Sequence, residues 1–307
     1  MGKLRTIFAG TPYFSVPSLK LLAQREEIDL VGIYTQPDRP AGRGKNIRQS
    51  EVKKTATYME TVVVQPISLN TEEQLYEFRK LEPEFFVVAA YGLIIPKIFL
   101  DVPNYCINVH ASLLPNWRGA APIHRALMNG DQTTGISIMR ITEKLDAGPV
   151  WNTKECLIAA EDTTNSLSYK LANLGAEALD EAVSNIVRGT VSETEQDDRK
   201  ATYAKKISKN DLSLIWSKSA QELNRQVRAL SPTPGANATF GGSRMKILST
   251  EITNEDFGNP PGTIDCSKKN ILQIATGTTD LRITSLQLPG KKAMSAKDFL
   301  NGYRSLL

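Results

Sequence analysis

Asn108 and His110 stand two positions apart in the run Cys106-Ile-Asn-Val-His-Ala-Ser-Leu-Leu-Pro115. The first half of this run reads as a short strand. Residues i and i+2 of a strand share a face, so an amide and an imidazole project together. The amide donates hydrogen bonds and the imidazole titrates near neutrality. Both suit a carbonyl oxygen that becomes an oxyanion during acyl transfer. A third residue, Asp146, lies in Leu145-Asp146-Ala147-Gly148, a glycine-containing turn ahead of another strand. A carboxylate there can orient the imidazole or a water. A lone Asn or His in a strand is most often a satisfied core group. The adjoining segment Ser-Leu-Leu-Pro-Asn-Trp-Arg-Gly-Ala-Ala-Pro, over 112–122, shifts the balance. It joins an apolar ridge to a Pro- and Gly-rich loop, and such loops carry sites.

The elements that must position these residues alternate. Leu4–Ala9, Asp29–Tyr34, Thr61–Val64 and Glu84–Ala90 read as strands. The last is apolar throughout, as a strand buried on both faces should be. Helical patterns separate them, over Val16–Leu22 and Thr71–Lys80, the second capped by Thr71. Strand–helix alternation predicts a Rossmann-like, doubly wound α/β sheet, with Asn108 and His110 at the C-terminal end of one strand, where such sheets place ligands. Gly135–Ile141 and Val150–Ile158 read as two longer strands, followed by a helix over Asn165–Val187. Beyond a polar stretch at 189–211 the pattern changes. A helix over Ser219–Leu230 precedes Ser-Pro-Thr-Pro-Gly (231–235) and then short strands at Arg244–Leu248, Gly262–Ile264, Ile271–Ala275 and Leu281–Leu288. That suits a small OB-like β-barrel. The expected division is a catalytic domain over 1–189, a linker over 190–207 and a basic barrel over 208–307.

Composition narrows the function. At 307 residues the chain has room for two cores. No apolar run approaches the ~18 residues of a membrane span, and the N-terminus shows no cleavage-type segment, so a cytoplasmic location is expected. Three widely spaced cysteines and two histidines argue against a disulfide framework and against a metal site. The turn Gly10-Thr-Pro-Tyr-Phe lacks the later glycines a dinucleotide pyrophosphate needs. Residues 205–307 carry 15 Lys+Arg against 8 Asp+Glu, while 1–204 carry 22 against 25. The basic half hints at a polyanionic partner. Arg39, Arg43, Lys45, Arg48, Lys53 and Lys54 add a basic stretch after the second strand, which Pro40, Gly42 and Gly44 make a loop. A basic loop of this kind can reach RNA phosphates and unpaired bases. Lys205, Lys206 and Lys209 can contribute similarly.

Asn108–Pro115, Trp117–Ile123 and Leu145–Gly148 together resemble the 10-formyltetrahydrofolate-dependent formyltransferases. Phe8–Pro12, Thr35–Lys45, Ala89–Leu93, Gly290–Met294 and Asp298–Gly302 extend the resemblance nearly end to end, towards the branch of that family acting on initiator methionyl-tRNA. The resemblance implies the formyltransferase fold and 10-formyltetrahydrofolate as co-substrate, with no metal. Asn108 and His110 would contact the formyl oxygen, and Asp146 would assist proton transfer. Ser112, Leu113, Leu114 and Pro115 would line the folate site, and the Leu114–Pro115 bond is a candidate for cis. Arg39, Arg43, Lys45, Arg48 and Lys206 would contact the tRNA, and a monomer is expected. Tyr13 and Asn237 depart from the family pattern, which usually carries an acidic residue and an aromatic there. Core packing remains an alternative for Leu113 and Leu114. Formyl transfer to a sugar or ribonucleotide amine, formate-releasing hydrolysis, and RNA binding without catalysis remain alternative functions.

Overall fold

The apolar runs become the strands of two separate sheets. The computed structural model describes residues 2–41, 46–255 and 258–307. They form two compact units, one of 1–119, 133–157 and 168–203, the other of 120–132, 158–167 and 204–307.

In the first unit, β1 (Leu4–Gly10), α1 (Val16–Gln24) and β2 (Ile28–Tyr34) are followed by a hairpin of β3 (Arg39–Ala41) and β4 (Asn46–Arg48). Then come α2 (Glu51–Ala56), β5 (Val63–Val64), α3 (Glu72–Lys80), β6 (Phe85–Ala89), α4 (Lys97–Leu100), β7 (Tyr105–His110), β8 (Thr133–Arg140) and β9 (Val150–Leu157). The sheet order is β5-β2-β1-β6-β7-β8-β9. The first five strands run parallel, and β8 and β9 add antiparallel to β7. β6 is buried at every position, as its unbroken apolar run demands. The third expected strand shrinks to Val63–Val64 at this sheet edge; Val62 is exposed, though its carbonyl still accepts the Ile33 N–H. Thr71 caps α3 through a full capping box with Gln74. Phe78 of α3 meets Tyr34, Phe86 and Phe99 edge-on, with centroids 5.2–5.8 Å apart. This cluster covers one face of the sheet. α6 (Thr164–Arg188) belongs to this unit from Ser168 onward.

The basic stretch after β2 is only partly loop. Arg43 and Lys45 lie outside the described residues. Lys53 and Lys54 are helical, in α2, capped by Ser50. The Lys53 ammonium binds Asp38 and Gln65, both at 2.7 Å, and Lys54 binds Glu51 at 2.8 Å. Both are therefore engaged in folding local structure. The hydrogen bonds from Lys53 and Gln65 hold the Asp38 carboxyl below its usual range. Sequence spacing could not reveal this because the acceptors come from either side of the helix.

In the second unit, α7 (Ala220–Leu230) packs on an antiparallel sheet, and α5 (Pro122–Asn129) packs on α7. Its strands are β10 (Ala236–Phe240), β11 (Ser243–Ile252), β12 (Ile264–Asp265), β13 (Leu272–Ile274), β14 (Leu281–Gln287) and β15 (Met294–Ser295). The path β10-β11-β14-β13-β12, with β15 on β14, makes a curled half-barrel. α8 (Ala296–Tyr303) closes the chain and buries Phe299 and Leu300. Leu223, Val227, Ile247, Ile274, Leu286 and Phe299 belong to its core. β10 escaped the sequence reading because Asn237 breaks its apolar run. The structure keeps Asn237 buried, paired to Lys246, with its carbonyl accepting the Leu214 N–H.

Arg125 of α5 grips Asp211 with two bonds, at 2.8 and 3.0 Å, and Ser208 donates its N–H and hydroxyl to the same carboxylate. The guanidinium, first among these partners, holds the Asp211 carboxyl well below the usual carboxylate range. A carboxyl depressed by folding stabilises the native state above its unfolded value, and the contribution fades as pH falls through the folded value. Asp211→Asn should therefore cost about 1–2 kcal/mol near pH 7. The gap to wild type should narrow below about pH 4, as read by urea unfolding at both pH values. A gap that stays constant down to pH 3 would contradict this account.

Candidate active site

β7 carries Asn108 and His110 between β6 and β8, with Asn108 opposite Met139 and His110 opposite Ser137. Asp146 comes from the β8–β9 connection. Its carboxylate accepts the Gly119 N–H on Oδ2 at 2.8 Å and the Asn108 amide on Oδ1 at 3.4 Å. The Oδ2 atom also lies 3.7 Å from His110 Nδ1. The structure thus brings the three predicted chemical residues together, although Asn108 and Asp146 are 38 positions apart in sequence. His110 and Asp146 side chains are only 6% and 14% exposed, so their interaction is weakly screened.

His110 Nε2 is 3.0 Å from the Trp117 carbonyl. A carbonyl can only accept, so Nε2 carries the proton. In the neutral ring, Nδ1 is then a lone pair facing the site beside Asp146. Trp117 and Asp146 both have left-handed backbone, φ 61° and 48°. Non-glycine residues held there store about 1–3 kcal/mol each, and such strain clusters at functional sites. Cys106, two residues before Asn108, is buried with its thiol on the Leu100 carbonyl. Burial pushes that thiol up to about 12, so it stays un-ionised at neutral pH and supplies no nucleophile.

The Ser112–Pro115 segment turns away from β7 and is held to the fold. Ser112 is fully buried, its hydroxyl donating to the Asn116 carbonyl. Ser137 donates its hydroxyl to the Ser112 carbonyl at 2.8 Å and accepts the Leu114 N–H at 3.0 Å. Leu113 rests over Gly135, where a Cβ would meet it at 2.5 Å. The Leu114–Pro115 bond is cis. Leu113, Leu114 and Pro115 remain half-buried, leaving apolar surface beside the polar cluster.

The described basic residues of the expected tRNA contact are surface groups. Arg39 and Arg48 are exposed on β3 and β4, Arg39 reaching Gln36 and Arg48 standing 3.6 Å from Glu51. Lys206 is exposed in the second unit. A cavity of about 840 Å³ opens at the N-terminal end of β1, lined by Lys3, Leu4, Arg25, Glu26, Glu84 and Val187 among others. No predicted site residue lines it. The turn after β1 is closed by its own side chains, Ser15 donating to the Ala89 carbonyl at 2.6 Å and Thr11 to that of Tyr91 at 2.9 Å. Tyr13 leaves this turn to pack on Tyr169 with centroids 4.4 Å apart.

Sequence reasoning missed the residues that hold the cluster from behind. Gln196 bonds the turn carrying Asp146, and Arg118 bonds Gln196. Thr202 takes the Trp117 N–H on its hydroxyl and the Arg118 N–H on its carbonyl. Gln196 and Thr202 lie in the polar stretch 189–211, which has no periodicity to announce them. Only the Trp-Arg-Gly loop offered a signal, and that came by resemblance.

Comparison with known proteins gives the family. The Formyl transferase family matches residues 4–183, and the Formyl transferase, C-terminal domain family matches 206–304. A methionyl-tRNA formyltransferase of Marinobacter nauticus is 44% identical over 305 residues, covering 99% of this chain and 98% of its own. One from Methylococcus capsulatus is 46% identical over 301 residues, covering 98% and 97%. Among solved structures, the N-formyltransferase from Helicobacter canadensis, in complex with folinic acid and dTDP-3-aminofucose, aligns over 91% of this chain and 98% of its own, with TM-score 0.69 at 18% identity. HypX from Aquifex aeolicus in complex with tetrahydrofolic acid aligns over 97% of this chain with TM-score 0.66 at 17% identity, and this chain spans about half of it, 47%. At such identities the solved structures speak to fold alone, but the full-length relatives and the family match do not stop there: this chain belongs to the formyl transferase family.

Proposed function

We propose that the protein transfers the formyl group of 10-formyltetrahydrofolate to the free α-amino group of methionyl initiator tRNA, the modification that readies this tRNA for translation initiation. The observation that carries the chemistry is the convergence of Asn108, His110 and Asp146 at the end of β7. Similarity over nearly the whole chain to relatives named for this reaction supports the acceptor.

The geometry supports these roles. The amine attacks the formyl carbon, forming a C–N bond and a tetrahedral oxyanion. Asn108 has two amide hydrogens and gives one to Asp146; the second is the donor for the oxyanion. The amine proton passes to the Nδ1 lone pair of His110, and Asp146 at 3.7 Å stabilises the resulting imidazolium. Collapse breaks the bond to the folate nitrogen, which leaves as tetrahydrofolate after taking up a proton. Leu113, Leu114 and Pro115 offer the apolar wall for the folate, and Ser112 shapes that wall from beneath. Residues 1–189 serve catalysis and 208–307 bind tRNA, with 190–207 connecting them and its part 193–202 held against the first unit; Arg39, Arg43, Lys45, Arg48 and Lys206 contact the tRNA. The protein acts as a monomer in the cytoplasm. Among the described residues no helix is long and apolar enough to cross a membrane.

Incubation with 10-formyltetrahydrofolate and methionyl initiator tRNA should yield formylmethionyl-tRNA, and far less with methionyl elongator tRNA. Formate release without acceptor dependence would overturn the assignment. Alanine at Arg39, Arg48 or Lys206 should raise the tRNA Kd by about 3–10-fold each, and each should flatten the slope of log Kd against log salt by about one unit or less. Tight binding that ignores salt would remove these residues from the interface.

A further inference from the structure

Asp146 holds its position against an unfavourable backbone, which is left-handed, in a turn where Gly148 approaches the Arg140 carbonyl too closely for any Cβ. A strained turn persists only where its surroundings over-determine it. The chain segment that does so is 193–202, part of the expected linker.

This segment lies along the edge of β9 as a short strap within the first unit. Thr194 and Val150 exchange both backbone hydrogen bonds, at 2.8 and 2.9 Å. Glu193 accepts from Arg140 and from the Trp151 indole. These contacts deliver Gln196 beneath the turn. Its side-chain amide donates to the Asp146 carbonyl at 3.0 Å and to the Gly148 carbonyl at 2.6 Å. Both donors of one amide group are therefore spent on the carbonyls of the two residues flanking Ala147. The Gln196 carbonyl oxygen accepts from Arg118 Nε at 3.0 Å. Arg118 is itself buried, and one of its terminal guanidinium nitrogens pairs with Asp198 at 2.8 Å. Since Arg118 follows Trp117, whose carbonyl holds His110, the one Gln196 side chain ties the Asp146 turn to the loop that orients His110.

We infer that Gln196 is a positioning residue for formyl transfer, its amide setting the placement of Asp146 against Asn108 and His110. The inference rests on the catalytic reading of Asp146. Glutamine suits the task by chemistry. Glutamate keeps the size and the acceptor for Arg118 but aims a lone pair at two carbonyls. Asparagine is one methylene too short to reach both.

The test uses full-length protein with 10-formyltetrahydrofolate and methionyl initiator tRNA. Gln196→Glu should lower kcat about tenfold near pH 8 while both KM values stay within about twofold, because placement rather than binding is lost. As pH falls towards the ordinary glutamate range, a growing fraction of the introduced carboxyl is protonated and regains one donor. The ratio of variant to wild-type kcat should then rise, a recovery that a merely structural defect would not show. Gln196→Leu should show the loss without the recovery. In an Asp146→Asn background, Gln196→Glu should cost little further, since the group it positions is gone. Unchanged kcat in both Gln196 variants, with Asp146→Asn inactive, would overturn the inference and leave the catalytic reading standing. Fully additive losses would also overturn it, by showing that Gln196 does not act through Asp146. Wild-type turnover by Asp146→Asn would overturn the catalytic reading itself, and the inference with it.

Discussion

Replacing Asp146 by alanine is expected to lower kcat by about 10²–10³, the usual cost of one preorganised electrostatic partner in acyl transfer. The carboxylate accepts from Gly119 and Asn108 and faces His110. Its loss leaves the amide without its anchor and the imidazolium without its counter-charge. Stability should fall by about 1–3 kcal/mol, because alanine leaves the Gly119 N–H and the Asn108 amide without their acceptor. Asn108→Ala should give a loss of the same order by removing the oxyanion donor. Single-turnover rates with saturating substrates would report the chemical step directly. Wild-type kcat in either variant would sink the assigned roles.

Gly148→Ala should be nearly as damaging without touching a reactive group. A Cβ there would collide with the Arg140 carbonyl oxygen and sit 2.9 Å from Thr142 Cγ2. The nearer neighbour is backbone, tied to this turn by the Arg140 N–H bond to the Pro149 carbonyl at 2.9 Å. It cannot rotate away as a side chain would. The turn must therefore shift, carrying Asp146 out of register with His110. Misplacement by about 1 Å can cost about 10² in rate, and overpacking adds about 1–3 kcal/mol of destabilisation. The matched control is Gly302→Ala in α8, where the added Cβ meets nothing within 4 Å. Thermal unfolding and kcat on both variants make the comparison. Equal activity for the two would refute the claim that turn geometry limits catalysis.

Local signals in the sequence carried far where the physics is local. The cap at Thr71 needs only residues three apart, and it forms. The apolar run before Ala90 could only be a strand buried on both faces, and β6 is. Asn108 and His110 share a face because strand geometry dictates it. Edges were less legible. Val62 looks as β-branched as its neighbours, yet it lies beyond the two paired residues of β5. Lys53 looked like an RNA contact because charge says nothing about partners; Asp38 and Gln65 claim it only once the chain has folded.

By itself, then, the sequence determined the alternation of elements, the type of chemistry at Asn-Val-His, and membership of a family through motifs spread along the chain. Those properties depend on residue type and short spacing. The tertiary structure alone decided that Asp146 meets Asn108 across 38 positions, which nitrogen of His110 faces it, and that Gln196 braces the turn from a stretch without pattern. Such contacts are set by how the connections after β7, β8 and α6 converge. A hydrogen bond between distant residues leaves no periodic trace in either partner.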